Sequence, residues 1–226
     1  MRLLLIRHGQ TPGNVAGRLD TAPPGPGLTE LGQRQAAEIP DALRHESVEA
    51  VYASTLTRTQ LTAAPLAADR RLDVTVLPGI HEIAAGALEN ARDRESVRSY
   101  LETAFAWGLG DLDARMPGGA DGHEFFGRFD ESIERVAAAG AGPAVVFSHG
   151  AAIRVWVAGR AINVPPMFAG EHDIQNTGVV ELEGSPQLGW TLLSWQGTPV
   201  GGAQLVDTTA EDPTGESLDE ARGEAS

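Results

Sequence analysis

The sequence predicts an α/β fold, a layered sheet with at least partly parallel strands. Strand-like apolar runs alternate with helical patterns along most of the chain, the order expected of layered α/β proteins. Two runs, Leu3-Leu4-Leu5-Ile6 and Ala144-Val145-Val146-Phe147, are continuously apolar, as strands covered on both faces are. With 226 residues, 42% of them hydrophobic, the chain can bury one substantial core.

Taken in order, residues 2–7 form the first strand, and the polar, Gly- and Pro-rich segment 9–27 forms a loop. The part from Thr21 to Gly27 is too rich in helix breakers for regular structure. Thr29 then caps a helix running from 28 to about Arg44, which Pro40 should kink or shorten. Val48 to Ala53 reads as a second strand, and Ser54 to Arg58 leads into a helix that ends near Ala68. Val74 to Leu77 alternates as a strand does, and an irregular stretch containing His81 and Glu82 follows. Residues 92–107 and 121–139 are helical, separated by the turn at Met116-Pro117-Gly118-Gly119. Phe105, Trp107 and Met116 are more at home in a core than on a pocket wall.

The strand at 143–148 stops at His149-Gly150, a helix runs from 151 to about 160, and two last strands lie near 178–183 and 188–195. Residues 1–206 therefore read as one domain, with a short helical cap inserted at about 90–140. Residues 207–226 carry seven carboxylates against one arginine and few large apolar groups, the composition of an acidic, disordered tail.

The net charge of −14 argues against nucleic acid and anionic membrane as partners. No apolar run approaches the roughly 20 residues that span a bilayer, and no secretory signal pattern opens the chain, so a cytoplasmic location is expected. The absence of cysteine removes thiol catalysis and thiolate metal sites. All 17 basic residues are arginine, so only position can mark one as functional.

In open α/β sheets, ligands bind beyond the carboxyl ends of the strands. Arg7-His8 follows the first strand, Arg58 lies just beyond the second, and His149 follows the apolar strand at 143–148. Two guanidiniums and two imidazoles converging on one lip suit a tetrahedral dianion, because arginine offers a planar donor fork to phosphate oxygens. The chemistry implied is phosphoryl transfer, and a nearby acid would complete it.

Several motifs resemble those of the histidine phosphatase (phosphoglycerate mutase-like) superfamily. Arg7-His8-Gly9 is followed by Thr11 and Asn14. Leu28-Thr29-Glu30-Leu31-Gly32-Gln33-Arg34-Gln35-Ala36 matches Leu-Thr-x-x-Gly-x-x-Gln-Ala, and Ser54 to Ala63 matches Ser-x-Leu-x-Arg-x-x-x-Thr-Ala, with Arg58 at the arginine. The acid motif reads Glu82-Ile83-Ala84-Ala85-Gly86-Ala87-Leu88-Glu89-Asn90, with Asn90 in place of the family's glycine. Ser148-His149-Gly150 and Asn176 complete the set.

The resemblance implies a three-layer α/β/α sandwich with a mostly parallel central sheet. It implies His8 as the nucleophile that becomes phosphohistidine, Arg7, Arg58 and His149 as the phosphate pocket with Asn14 and the Gly150 backbone, and Glu82 as general acid and then base. His123, His172 and their neighbouring acids offer no paired ligand spacing, so no metal is expected; no cofactor is expected, and the resemblance implies a small phosphate ester as partner and allows a homodimer. The expected activity is metal-independent hydrolysis of a small phosphorylated metabolite, because the segment between Glu82 and His149 has room only for two helices and a turn. Mutase-type transfer, with Arg18, Arg92 and Arg94 as extra basic groups, and non-catalytic binding of a phosphorylated ligand are the alternatives.

Overall fold

The computed structural model describes residues 1–140, 142–165, 167–208 and 212–215. Its secondary structure runs β1 (Arg2–Arg7), α1 (Pro12–Val15), α2 (Glu30–Ala42), β2 (Ala50–Ala53), α3 (Thr57–Arg70), β3 (Val74–Val76), α4 (Arg94–Gly108), α5 (Gly122–Ala139), β4 (Ala144–Ser148), α6 (Gly150–Arg160), α7 (Phe168–Glu171), β5 (Val179–Ser185) and β6 (Gly189–Gln196), with short 3-10 turns between some of them. The strands form a six-stranded sheet in the order β3-β2-β4-β1-β5-β6. Pairings β2–β3, β2–β4 and β1–β4 are parallel, and the β5–β6 hairpin adds to β1 antiparallel.

Strand alternation divides the apolar side chains between two cores. Leu3, Leu5, Tyr52, Val146 and Leu182 face one side, where α4, α5 and α6 pack. Leu4, Ile6, Val51, Val145 and Phe147 face the other, where they meet Ile39 of α2 and Ala63, Leu66 and Ala67 of α3. The layers are therefore helix, sheet and helix, and the continuous apolar runs of β1 and β4 are explained by cover on both faces. Helices α4 and α5, which fill most of the 90–140 segment, join the first core directly: Trp107, Phe125, Phe129 and Trp156 follow one another at centroid spacings of 5.6, 5.8 and 5.2 Å. Phe105, Trp107 and Met116 are all buried there.

The boundaries depart from the sequence expectation in a few places. Strand β2 starts at Ala50, two residues late, although Glu49 N–H still donates to Pro143 O at 2.9 Å. The 9–27 loop contains α1, one helical turn whose start is fixed by a reciprocal box: Thr11 Oγ1 accepts from Asn14 N–H, and Asn14 Oδ1 accepts from Thr11 N–H. Thr29 caps α2 as expected, and the helix continues only two residues past Pro40. At the C-terminus, the expectation of an unstructured segment departs at 212–215. Pro213, Thr214 and Gly215 are buried, because the Asp212 carboxylate and Thr214 hydroxyl find a buried guanidinium, Arg7. The rest of that segment beyond Thr208 lies outside the described residues. Among the described residues, no helix is long and apolar enough to cross a membrane.

Candidate active site

Parallel register builds the site. Arg7 pairs with Ser148, and His8 N–H donates to Ser148 O at 3.1 Å, so the residues immediately after the two central strands, His8 and His149, emerge side by side. Their ring centroids are 5.2 Å apart, tilted by 60°. Ser54, immediately after β2, donates its N–H to Phe147 O at 3.2 Å and brings its hydroxyl to the same lip. The turn after β1 is held against α2 by a close backbone approach: a Cβ at Gly32 would lie 2.2 Å from Gln10 O, and one at Gly9 would lie 2.7 Å from Gly32 O. That contact explains both glycines, since any side chain would push the Arg-His-Gly turn off the helix.

His8 is 2% exposed, and its Nδ1 lies 2.8 Å from Gly9 O. A carbonyl only accepts, so Nδ1 carries the proton and Nε2 the lone pair. Burial, then the charges of Arg58 and Arg7, hold this imidazole well below its ordinary value and keep it neutral. His149 is also buried, with Nε2 2.8 Å from Ser54 Oγ and with Nδ1 lacking a hydrogen-bond partner among the described residues. Its pKa is likewise driven down, first by burial and then by Arg58.

The two arginines are placed differently. Arg7 is fully buried, and its Nη1 donates to Ile174 O at 2.7 Å. Its Nη2 meets Asp212 Oδ2 at 2.5 Å and Thr214 Oγ1 at 3.0 Å. Arg58 donates Nη2 to Asp20 O at 3.0 Å, and its buried Nε and Nη1 have no partner among the described residues. Two unsatisfied guanidinium nitrogens beside a neutral imidazole are costly unless a ligand anion takes them up.

Glu82 is 1% exposed, and α6 holds its carboxylate. Oε1 accepts from Ile83 N–H at 2.8 Å and from Ala152 N–H at 2.9 Å, while Oε2 accepts from Ala151 N–H at 3.3 Å. Burial raises its pKa, opposed by those amides and by Arg58 and Arg7, and the net shift is upward. The same two arginines act electrostatically on His8 and on Glu82, which groups all four about one centre. Asn14 is buried as well; Asn176 Nδ2 donates to His8 O at 3.0 Å and to Asn14 Oδ1 at 3.4 Å. Gly150 opens α6 and is buried.

All seven residues singled out in the sequence, Arg7, His8, Asn14, Arg58, Glu82, His149 and Gly150, thus lie buried around the carboxyl ends of β1, β2 and β4. The Asn90 departure is physically conservative, because its φ is +65°; asparagine is among the few non-glycine residues that enter this region readily. Glu89 accepts from Thr21 N–H at 2.9 Å and Ala22 N–H at 3.1 Å, and Thr21 Oγ1 accepts from Ala85 N–H at 2.9 Å. The acid motif therefore anchors the 21–27 segment, whose Gly25 lies beside Arg58 Nη1.

Four contributors escaped the sequence reading. Ser54 orients His149 and was visible only as a motif position. Thr62 accepts from Gly9 N–H at 2.9 Å and donates to Arg58 O at 2.6 Å. Arg128 donates Nη1 to Gly79 O at 2.5 Å and to His81 O at 2.7 Å, and Nη2 to Glu82 O at 3.0 Å, fixing the acid's loop from α5. No local signal marks it among 17 arginines. Asp212 lies in a stretch whose composition gives no reason to fold. His123 has a side chain 63% exposed, with Nε2 3.4 Å from Asp113 Oδ1. Among the described residues, no group of three or more His, Asp or Glu side chains is placed to hold a metal ion.

The chain is also similar to known proteins. The chain is 42% identical over 216 residues to PE-PGRS family protein PE_PGRS11 of Mycobacterium tuberculosis, covering 88% of this chain and 37% of that protein. It is 34% identical over 135 residues to the adenosylcobalamin/alpha-ribazole phosphatase of Escherichia coli, covering 60% of this chain and 64% of that one. The chain thus spans about a third of the first relative's length and just under two thirds of the second's. A mycobacterial glucosyl-3-phosphoglycerate phosphatase shares the fold, with a TM-score of 0.72 at 24% identity over 87% of this chain and 99% of that one. Residues 3–198 match the histidine phosphatase superfamily (branch 1), and the chain belongs to that superfamily.

Proposed function

We propose that this protein hydrolyses small phosphate monoesters through a phosphohistidine on His8, without a metal. The observation that carries the reading is the pairing of a neutral His8, its Nδ1 proton tied to Gly9 O, with unpartnered buried guanidinium donors on Arg58 and an unpartnered ring nitrogen on His149. The adenosylcobalamin/alpha-ribazole phosphatase likeness supports hydrolysis of a small phosphorylated metabolite.

The His8 Nε2 lone pair attacks phosphorus while the bond to the ester oxygen breaks. Protonated Glu82 gives its proton to the departing alkoxide, which leaves as an alcohol. The phosphoryl oxygens take up Arg7, Arg58 Nε and Nη1, the Gly150 backbone and His149 Nδ1, on which the approaching dianion favours a proton. Asn14 completes this shell. Phosphoryl transfer needs in-line placement and charge neutralisation, and these groups supply both. In the second half, Glu82 carboxylate takes a proton from water as its oxygen attacks phosphorus and the N–P bond breaks. Inorganic phosphate leaves, and His8 and Glu82 return to their starting states.

Arg18, Arg92 and Arg94, which a mutase would use as extra basic groups, are exposed side chains. The test is release of p-nitrophenol from p-nitrophenyl phosphate in the presence of chelator, followed by kcat/KM across a panel of sugar phosphates, phosphoglycerates and nucleoside monophosphates. Turnover in chelator that disappears in His8→Ala is expected. Turnover that requires added metal would contradict the mechanism, and phosphoryl transfer to phosphoglycerate faster than to water would favour a mutase.

A further inference from the structure

Two of the groups assigned above to the substrate's phosphoryl oxygens, Arg7 and Asn14, are already engaged by the chain's own segment 212–215. Asp212 places Oδ2 2.5 Å from Arg7 Nη2 and Oδ1 3.0 Å from Asn14 Nδ2. Thr214 brings its hydroxyl 3.0 Å from the same Arg7 nitrogen, and its carbonyl lies so close to Gly150 that a Cβ there would sit 2.3 Å from it. Gly215 lies directly on Arg7, where a Cβ would be 2.0 Å from Nη1.

The segment is a turn, with Gly215 N–H donating to Asp212 O at 2.9 Å, and it is tied to the body by Ile174 N–H, which donates to Gly215 O at 3.1 Å. Upstream, Gln35 Nε2 donates to Leu205 O at 2.8 Å, and Gln10 Nε2 donates to the Asp207 carboxylate, so the approach runs along the Arg-His-Gly turn.

A carboxylate bridging a buried guanidinium and an amide donor presents the same chemistry as two oxygens of a phosphate: anionic acceptors meeting charged and neutral N–H groups. We infer that the turn 212–215 is an intramolecular competitor, with Asp212 occupying the Arg7 and Asn14 half of the phosphate site until a phosphate anion displaces it. Arg58 Nε and Nη1 and His149 Nδ1 form the other half, and these, together with Arg7 Nε, have no partner among the described residues. A dianion can therefore land there first and reach Arg7 as the turn lifts. Asp212 has to release its ion pair for Arg7 Nη2 to accept phosphate, so apparent affinity is reduced by the fraction of molecules in which the turn is docked.

This inference rests on the assignment of Arg7 and Asn14 to phosphate, so its test reads binding without turnover. Inorganic phosphate binding is measured by calorimetry on the full chain and on full-chain Asp212→Asn. The variant loses one charge-assisted contact, and the dissociation constant for phosphate is expected to fall by about tenfold, the scale of one such bond. Hydrogen exchange on the unmodified chain gives the second reading: saturating phosphate should speed exchange at Gly215 and Ile174. Phosphate affinity unchanged or weakened in Asp212→Asn, or exchange at 174 and 215 unchanged or slowed by phosphate, overturns the inference. Failure of hydrolysis with the binding results intact would overturn the catalytic reading alone.

Discussion

Ala152 N–H donates to Glu82 Oε1 at 2.9 Å, which sets the buried acid on the first turn of the helix that begins directly after His149. Two of the site's ionisable groups therefore share one rigid support, and a shift of α6 would move both. The helix end and its amides favour the carboxylate, while burial favours the neutral acid and prevails. This balance lets Glu82 hold a proton for a leaving group and yet release it in the following step.

Glu82→Gln should separate that role from folding. A folded pKa raised above 4.5 means that the acid contributes stability at low pH, lost as pH rises through the folded value. At neutral pH a glutamine carries no such burden and still offers its carbonyl oxygen to the Ile83 and Ala152 amides. Turnover should fall by about 10²- to 10⁴-fold, the usual worth of general acid–base catalysis, with Tm equal to or above that of the unaltered protein. Steady-state kinetics and calorimetry on the same sample check it; a fall in Tm of several degrees would show that the residue is mainly structural.

His8 and His149 give the opposite sign. Their folded pKa values lie below 6.5, so below that pH the unfolded chain takes up protons that the native state refuses, and stability is lost on acidification. Because Glu82 works in the reverse direction, the wild-type slope alone is ambiguous. The difference between wild type and His8→Asn isolates one imidazole: urea unfolding from pH 7 to pH 5 should show a smaller loss in the variant. Equal losses would contradict the buried, neutral His8.

Arg58 lowers the pKa of both His8 and Glu82. Arg58→Gln should therefore move the acidic limb of kcat/KM, which reports ionisation of His8, to higher pH, in addition to weakening phosphate binding. A pH–rate profile with that limb unmoved would place Arg58 outside the electrostatic reach of the nucleophile.

Arg128 is a positioning residue for Glu82. Burial brings its guanidinium down to about 10, still charged at neutral pH, and three carbonyls depend on it. Arg128→Met leaves those acceptors unpaired at about 1–3 kcal/mol each if no water replaces the donors, so Tm should drop. Turnover should drop more than KM changes, because the acid moves while the phosphate pocket stays. A rise in KM at constant kcat would instead assign Arg128 to substrate binding.

The legibility of this molecule followed the range of the interactions. Strands β1 and β4 were readable because cover on both faces forces a continuous apolar run, and Arg7, His8 and His149 were readable because they stop those runs at one lip of the sheet, with Arg58 just beyond β2; Asn14, Glu82 and Gly150 were legible only through the motif resemblance. Thr29 and the α2 start were readable from local capping. Helix α1 was missed because its capping box uses Asn14, which serves the site at the same time. Arg128 and Ser54 were not legible as positioning residues, since their meaning lies in carbonyls and a ring brought from distant segments. The 212–215 turn was misread because composition counts apolar groups, and this segment is held by an ion pair to Arg7. Asn90 read as a departure from the motif, yet its backbone explains it: Asn90→Gly should be neutral, whereas Asn90→Val should cost at least about 1–2 kcal/mol in denaturant unfolding.

The central claim is that phosphorus is bonded to His8 during turnover, and rapid-quench trapping tests it most directly. The protein is mixed with a radiolabelled phosphate monoester, quenched in alkali within a turnover, digested and mapped by mass spectrometry. The account predicts acid-labile, alkali-stable label on the peptide carrying His8, none in His8→Ala, and loss of hydrolysis in that variant. Label on another residue, or hydrolysis that persists in His8→Ala, would contradict it.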